Sequence, residues 1–215
     1  MENKNFDKLL ENLILENASK QLVPTLLLHS CCAPCSSYVL DYLSKYFKIT
    51  VLYYNPNISP KSEYLKRKDE QIRLIKEMNT TYPVSILDCD YDNALYEEAI
   101  KGLENEKERG SRCTICFKMR LEKTARMAMT KKFDYFGTTL TVSPYKNAKL
   151  INEIGEDLEN TYGVNFLFSD FKKREGYKKS ILLSKKYHLY RQDYCGCIYS
   201  KKERDEKNEN KKCQL

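Results

Sequence analysis

Short apolar runs alternate with longer stretches of helical periodicity along this chain. Leu9, Leu10, Leu13 and Ile14 recur at helical spacing, predicting an N-terminal helix within residues 1–22 that Pro24 ends. Residues 25–29, Thr-Leu-Leu-Leu-His, form a short apolar run of the kind that makes a buried strand. Further strands are predicted at 49–54, 84–88, 134–136 and 165–168. Helical patterns fill 38–43, with Pro34 in the first turn, then 61–79, 91–109, 114–131, 147–162 and 176–187. Gly110-Ser111-Arg112 reads as a break between two of these helices. Strands alternating with helices predict an α/β fold, a parallel sheet covered on both faces in a three-layer sandwich. The expected organisation is an N-terminal helix (1–22), one α/β domain (23–200) and a charged, mobile tail (201–215).

That pattern places the polar segments with chemistry. The segments 29–35, 55–57 and 138–147 each follow a predicted strand. Ligand sites in an open parallel sheet form at the carboxyl edge of the strands, so these loops should converge on one face.

Composition narrows the class. The chain has 215 residues, enough for one domain with its own core. No apolar run is long enough to span a bilayer, and the N-terminus lacks a signal-peptide pattern; a cytoplasmic protein with no membrane partner is the expectation. Residues 170–215 hold 14 of the 37 Lys+Arg and 7 of the 30 Asp+Glu, so the net +7 lies wholly in that segment. A local basic excess fits a polyanionic partner, and equally an ordinary lysine-rich surface.

Seven of the nine cysteines fall into three clusters: Cys31-Cys32-Ala33-Pro34-Cys35, Cys113-Thr114-Ile115-Cys116 and Cys195-Gly196-Cys197. An odd count in a reducing compartment argues against a disulfide framework and for metal or redox chemistry. Soft thiolates select zinc, copper(I) or iron–sulfur clusters. Only Cys113/Cys116 has zinc-knuckle spacing, and seven thiols exceed what one tetrahedral ion needs. A four-cysteine cluster with leftover thiols fits better, the spare ones cycling as a dithiol or binding a second metal. Cys89 and Cys213 stand alone and read as small hydrophobes. His29 is open between a ligand or proton donor and a packed histidine, and His188 reads as structural.

Six separated motifs carry a resemblance. They are Leu28-His-Ser-Cys-Cys-Ala-Pro-Cys-Ser36, Tyr54-Asn-Pro-Asn-Ile58, Arg112-Cys-x-x-Cys-Phe117, Thr138-Thr-Leu-x-x-Ser-Pro-Tyr-Lys-Asn147, Ser169-Asp-Phe-Lys-Lys173 and Tyr190-Arg-Gln-Asp-Tyr-Cys-Gly-Cys-Ile-Tyr-Ser200. Together, over residues 24–200, they resemble the epoxyqueuosine reductase QueH family. The resemblance implies the last step of queuosine biosynthesis, a two-electron deoxygenation of epoxyqueuosine at the wobble position of a tRNA anticodon. It also implies a 4Fe-4S cluster, an external electron donor and a fold similar to the adenine-nucleotide α-hydrolase-like (PP-loop-like) proteins. Cys31-Cys32 occupies the loop where that superfamily carries its glycine-rich pyrophosphate motif, which speaks against ATP binding there.

On this reading Cys31, Cys32, Cys113 and Cys116 hold the cluster, with Cys35 able to exchange with Cys31. Cys195 and Cys197 are then a redox pair or, with the remaining thiol, ligands to a second, mononuclear iron, and Asp193 is a metal ligand or proton donor. Asn55, Asn57, Thr138, Thr139, Ser143, Tyr145, Lys146 and Arg191 are the candidate substrate contacts, since hydroxyls, amides, cations and an aromatic ring suit an unstacked RNA base and its phosphates. Two alternatives stay open. A zinc-stabilised RNA-binding module without catalysis would be colourless, and an ATP-using tRNA thiolation enzyme would bind nucleotide.

Overall fold

The computed structural model describes residues 4–212; Cys213 lies outside them. Five strands, β1 (Thr25–His29), β2 (Lys48–Leu52), β3 (Ser85–Leu87), β4 (Tyr135–Thr138) and β5 (Asn165–Phe166), form one sheet in the order β3-β2-β1-β4-β5. All four pairings are parallel. Leu26, Leu27 and Leu28 are fully buried, as both faces of a central strand require. Their side chains alternate. Leu26 and Leu28, with Ile49 and Val51, pack under α1 (Phe6–Ser19), α2 (Ala33–Leu43), α3 (Lys61–Glu77) and α7 (Gly176–Lys186). Leu27, with Leu52, Phe136 and Phe166, packs under α5 (Ser111–Thr130) and α6 (Ala148–Tyr162). The result is the three-layer α/β sandwich that the alternation predicts.

The strand order reverses direction between β1 and β4. Loops leaving these neighbours run to opposite sides and open a crevice at the carboxyl edge. Both loops are segments singled out above. Pro34 lies in the first turn of α2, as expected, where its missing N–H costs nothing.

Three segments differ from the sequence expectation. The helix expected over 91–109 is only α4 (Asn93–Ala99), followed by turns. The Glu106 carboxylate in those turns accepts from Arg112 N at 3.3 Å, capping the start of α5. Gly110 does break the pattern, as the N-cap of α5, but the helix starts at Ser111 instead of 114 and carries Cys113 and Cys116 in its first turns. Finally, the charged segment from 201 onward, for which the sequence predicts no element, continues α8 (Ile198–Lys212). Its lysines and glutamates are good helix formers, and Glu203 and Arg204 tie its first turns to the body.

The outer strand depends on a close approach by α6. A Cβ at Gly155 would sit 2.3 Å from the Phe166 ring. Gly155→Ala should therefore destabilise the fold by about 1–3 kcal/mol despite alanine's better helix propensity, read as a lower thermal midpoint.

Candidate metal and redox site

The seven clustered cysteines line two adjoining cavities. Cys31, Cys32 and Cys35 come from the β1–α2 turn, and their sulfurs all lie within 4.8 Å of one another. Cys31 Sγ and Cys32 Sγ are 3.9 Å apart. Hydrogen bonding with Cys32, and then with Cys35, holds the Cys31 thiol well below its ordinary range, while the same contacts push Cys32 up to about 12 and Cys35 up as well. Cys31 is thus the sulfur of the three that ionises first. Thr139 Oγ1 stands 3.4 Å from Cys31 N and 3.8 Å from its sulfur.

The other four thiols line a separate cavity of about 340 Å³: Cys113 and Cys116 from α5, Cys195 and Cys197 from the loop before α8. Cys31 and Cys113 pack against one core cluster, and the N-terminus of α5 meets the chain returning after α7. Three contacts from α3 and the segment before it fix that return. Arg67 Nη1 donates to Cys195 O (3.2 Å), Ser59 N to Gly196 O (3.0 Å), and Tyr190 N to a Glu70 carboxylate oxygen (2.6 Å). Gly196 adopts φ 131° with Ile58 and Arg67 against its Cα, a position that excludes any side chain. Burial pushes the Cys116 thiol up to about 12 and raises Cys113 too, so their ionisation needs a compensating positive charge.

That charge is at hand. Arg67, Arg112 and Arg120 are among the largest fully buried side chains. Arg112 and Arg120 line the four-cysteine cavity, and Arg67 lies behind Cys195. Arg120 Nε donates to Cys116 O at 3.0 Å, and Arg112 Nη1 to Cys197 Sγ at 3.2 Å. Each keeps one guanidinium nitrogen without a partner: Arg67 Nη2, Arg112 Nε and Arg120 Nη2. Buried cations with unspent donors mark a place shaped for an anionic occupant. Sequence reading missed Arg67 and Arg120 altogether.

A larger cavity, about 830 Å³, adjoins both groups; Cys31, Cys32, Cys35, Cys195, Arg120 and Lys146 are on its wall. Asn55 and Asn57 also line it, each 1% exposed, and the Oδ1 of each has no partner. Ser143 and Arg191 are on the same wall, with Arg191 Nη1 bonded to Ser184 Oγ at 3.0 Å. Burial opposes a charge on Lys146, but the Cys195, Cys31 and Cys35 sulfurs outweigh it and keep the amine protonated. Tyr145 stands 60% exposed at the rim with the Arg109 guanidinium 5.8 Å from its ring.

Three polar side chains at or near the site also make contacts within the fold. Thr138 is spent on His29 Nδ1 (2.9 Å) and Leu140 N (3.1 Å), so it braces the sheet edge instead of facing substrate. His29 uses its second nitrogen on Tyr54 O at 3.1 Å, and burial, aided by Arg120, lowers its pKa to about 3, making it a neutral strut. Asp193, on the wall of the larger cavity, pairs with Arg204 and is mostly exposed.

A doubly wound α/β domain with two sets of cysteines, buried arginines and a common cavity at its switch point has the donor set for thiol-ligated metal or redox chemistry. The model of the family described as "Epoxyqueuosine reductase QueH" matches residues 26–203, and the chain belongs to that family. Proteins named epoxyqueuosine reductase QueH are similar to it over most of its length. The one from Staphylococcus epidermidis is 45% identical over 200 residues, covering 91% of this chain and 84% of that protein. The Streptococcus pyogenes protein is 42% identical, with 92% and 78% covered, and the Thermotoga maritima protein 36%, with 86% and 94% covered. Among the described residues no helix is long and apolar enough to cross a membrane.

Proposed function

We propose that this chain reduces epoxyqueuosine to queuosine at the wobble position of tRNA, using electrons from an external donor. The observation that carries the reading is the convergence of two thiol groups on one cavity, in a chain whose relatives bear that activity in their names. The reaction removes the epoxide oxygen as water, takes up two electrons and two protons, and leaves a carbon–carbon double bond.

Cys113, Cys116, Cys195 and Cys197 would hold a 4Fe-4S cluster. The donor set fits one: four thiols line a single cavity, and so do Arg112 and Arg120, each with an unspent guanidinium nitrogen. When bound, that cluster supplies single electrons at low potential. Cys31, Cys32 and Cys35 are left as a second centre, either ligands to a mononuclear iron or a thiol relay, with Asp193 a nearby carboxylate on the same wall. Lys146, protonated and lining both cavities, is placed to give the departing oxygen a proton from Nζ. The unpartnered Oδ1 atoms of Asn55 and Asn57 are acceptors for hydroxyl or N–H donors of the modified base. Thr139 orients Cys31, and Ser143 and Arg191 lie where the flanking nucleotides would pass.

The base must leave its stack to reach this cavity. Tyr145, exposed at the rim, is the platform for it or its neighbour, so Tyr145→Ala should weaken tRNA binding by about 1–3 kcal/mol in a filter or fluorescence assay. The reading as a whole is tested by incubating anaerobically reconstituted protein with a strong reductant and tRNA containing epoxyqueuosine, then digesting the RNA for mass spectrometry. Appearance of a nucleoside lighter by one oxygen supports it. A colourless protein that carries zinc and leaves the nucleoside intact would instead establish the RNA-binding module.

A further inference from the structure

We propose that the turn at 107–109 and the outer turns of α8 form one basic rim that holds the RNA backbone beside the splayed base, with Lys107, Arg109 and Lys207 each taking a phosphate. The inference rests on the reading that this chain acts on tRNA, and it is independent of which thiols hold a metal. It gives a task to the outer part of α8, which lies beyond the residues 26–203 that the family model matches.

The larger cavity is lopsided in charge: seven cationic side chains and three carboxylates line it. Two of the carboxylates are engaged, Asp193 with Arg204, and Glu203 with Glu108 N at 2.8 Å and Arg112 Nη2 at 3.6 Å. The third belongs to Glu108. Among the described residues Lys107, Arg109 and Lys207 form no ion pair with a carboxylate, and all three are exposed. Unpaired cations around an opening draw in a polyanion.

The period of α8 aims it at that opening. Ser200, Glu203, Arg204, Lys207 and Asn208 follow at spacings of three and four, one stripe of a helix, and all five line the cavity. Ser200 is buried and Glu203 half-buried, whereas Lys207 and Asn208 stand in solvent. The neighbouring turn is equally fixed. Arg109 adopts φ 82°, a left-handed conformation unfavourable for a side chain of this size. Its N–H donates to Cys113 Sγ at 3.3 Å, and Gly110 N donates to Lys107 O at 3.1 Å. The bond from Glu108 N to Glu203 ties this turn to α8, so the two carry their cations as one unit. Tyr145, Tyr177 and Tyr194 share the wall, and the Arg109 guanidinium lies 5.8 Å from the Tyr145 ring. Cations interleaved with aromatic rings around a hollow of about 830 Å³ suit phosphates with bases attached. An acidic protein would use the charges and leave the hollow and the rings unused.

The test is binding of the full chain to tRNA carrying epoxyqueuosine, without reductant so that no turnover occurs, by filter retention between about 50 and 200 mM salt. Lys107→Gln, Arg109→Gln and Lys207→Gln are compared with wild type and with Lys48→Gln, an exposed lysine at the start of β2 on the opposite edge of the sheet. Each of the three should weaken binding and make the plot of log K against log salt shallower by about 0.7, the value for one single-strand phosphate contact. The double variant Lys107→Gln/Lys207→Gln should lose about twice that. Lys48→Gln should match wild type, and thermal midpoints should not move; a variant that unfolds leaves the decision to the others. Unchanged affinity and slope in Lys207→Gln, or in both Lys107→Gln and Arg109→Gln, overturns the rim. An equal loss in Lys48→Gln reduces the effect to net charge and overturns it too. Variants that bind tRNA as wild type does, yet turn over slowly with an acidic ferredoxin and normally with dithionite, would make this face a donor dock, which also overturns it. A wild type that does not bind this tRNA overturns the underlying reading and this inference with it. A wild type that binds and converts the tRNA beside unmoved variants overturns this inference only.

Discussion

On the proposed assignment, replacing Cys197 with alanine should leave the protein without an iron–sulfur cluster and, with it, without turnover. Cys197 lies on the four-thiol cavity, 5% exposed, at the end of a turn that only glycine at 196 permits. It packs against Cys116, Tyr96 and Ile100, so the two cysteine motifs meet in one buried cluster although 81 residues separate Cys116 from Cys197. Losing a ligand should cost more than the ~10–100-fold typical of losing an outer-shell partner. Iron and sulfide analysis with the visible spectrum checks it. A Cys197→Ala protein with full iron, full sulfide and an unchanged spectrum would remove Cys197 from the ligand set. It would restore the sequence-based reading in which Cys195 and Cys197 are a redox pair.

Much of the architecture can be read along the chain because burial on both faces leaves a plain mark. Leu26, Leu27 and Leu28 form a continuous apolar run, and the helices between strands carry period-3.6 stripes. The convergence of the loops after β1, β2 and β4 on one edge follows from the parallel sheet alone. The pairing of the cysteine motifs does not. It depends on how the segment after α7 recrosses the sheet edge, which Arg67, Ser59 and Glu70 fix through contacts spanning more than a hundred residues. Those anchors are illegible in sequence. Glu63 and Arg67 stand at i,i+4 on a highly charged helix, the spacing of an exposed surface pair, yet Arg67 is 2% exposed. Arg120 is likewise one of several basic residues of α5, and its charge gives no sign of burial in the sequence. The stretch from 100 to 110 looks helical by composition, but Glu106 is used to cap α5 instead.

Cys31→Ala should give the opposite phenotype to Cys197→Ala, a protein that keeps its cluster but cannot turn over. The three sulfurs of the β1–α2 turn form their own group within 4.8 Å, on the wall of the larger cavity and outside the lining of the four-cysteine one. Cys31 is the first of them to ionise, through its hydrogen bonding with Cys32 and Cys35. A thiolate is the form that ligates metal or attacks, so its loss disables whichever of these the second centre performs. Iron and sulfide near about four of each per chain should persist, consistent with a cluster held by four cysteine ligands. Conversion of epoxyqueuosine should fall by about 100-fold or more, the size expected when an essential chemical group is deleted. Iron slightly above sulfide in the wild type, lost in Cys31→Ala, would identify the second centre as mononuclear iron; equal ratios in both would make it a thiol relay. Loss of the whole cluster in Cys31→Ala would show that Cys31 ligates it after all and that the two groups of cysteines act as one site.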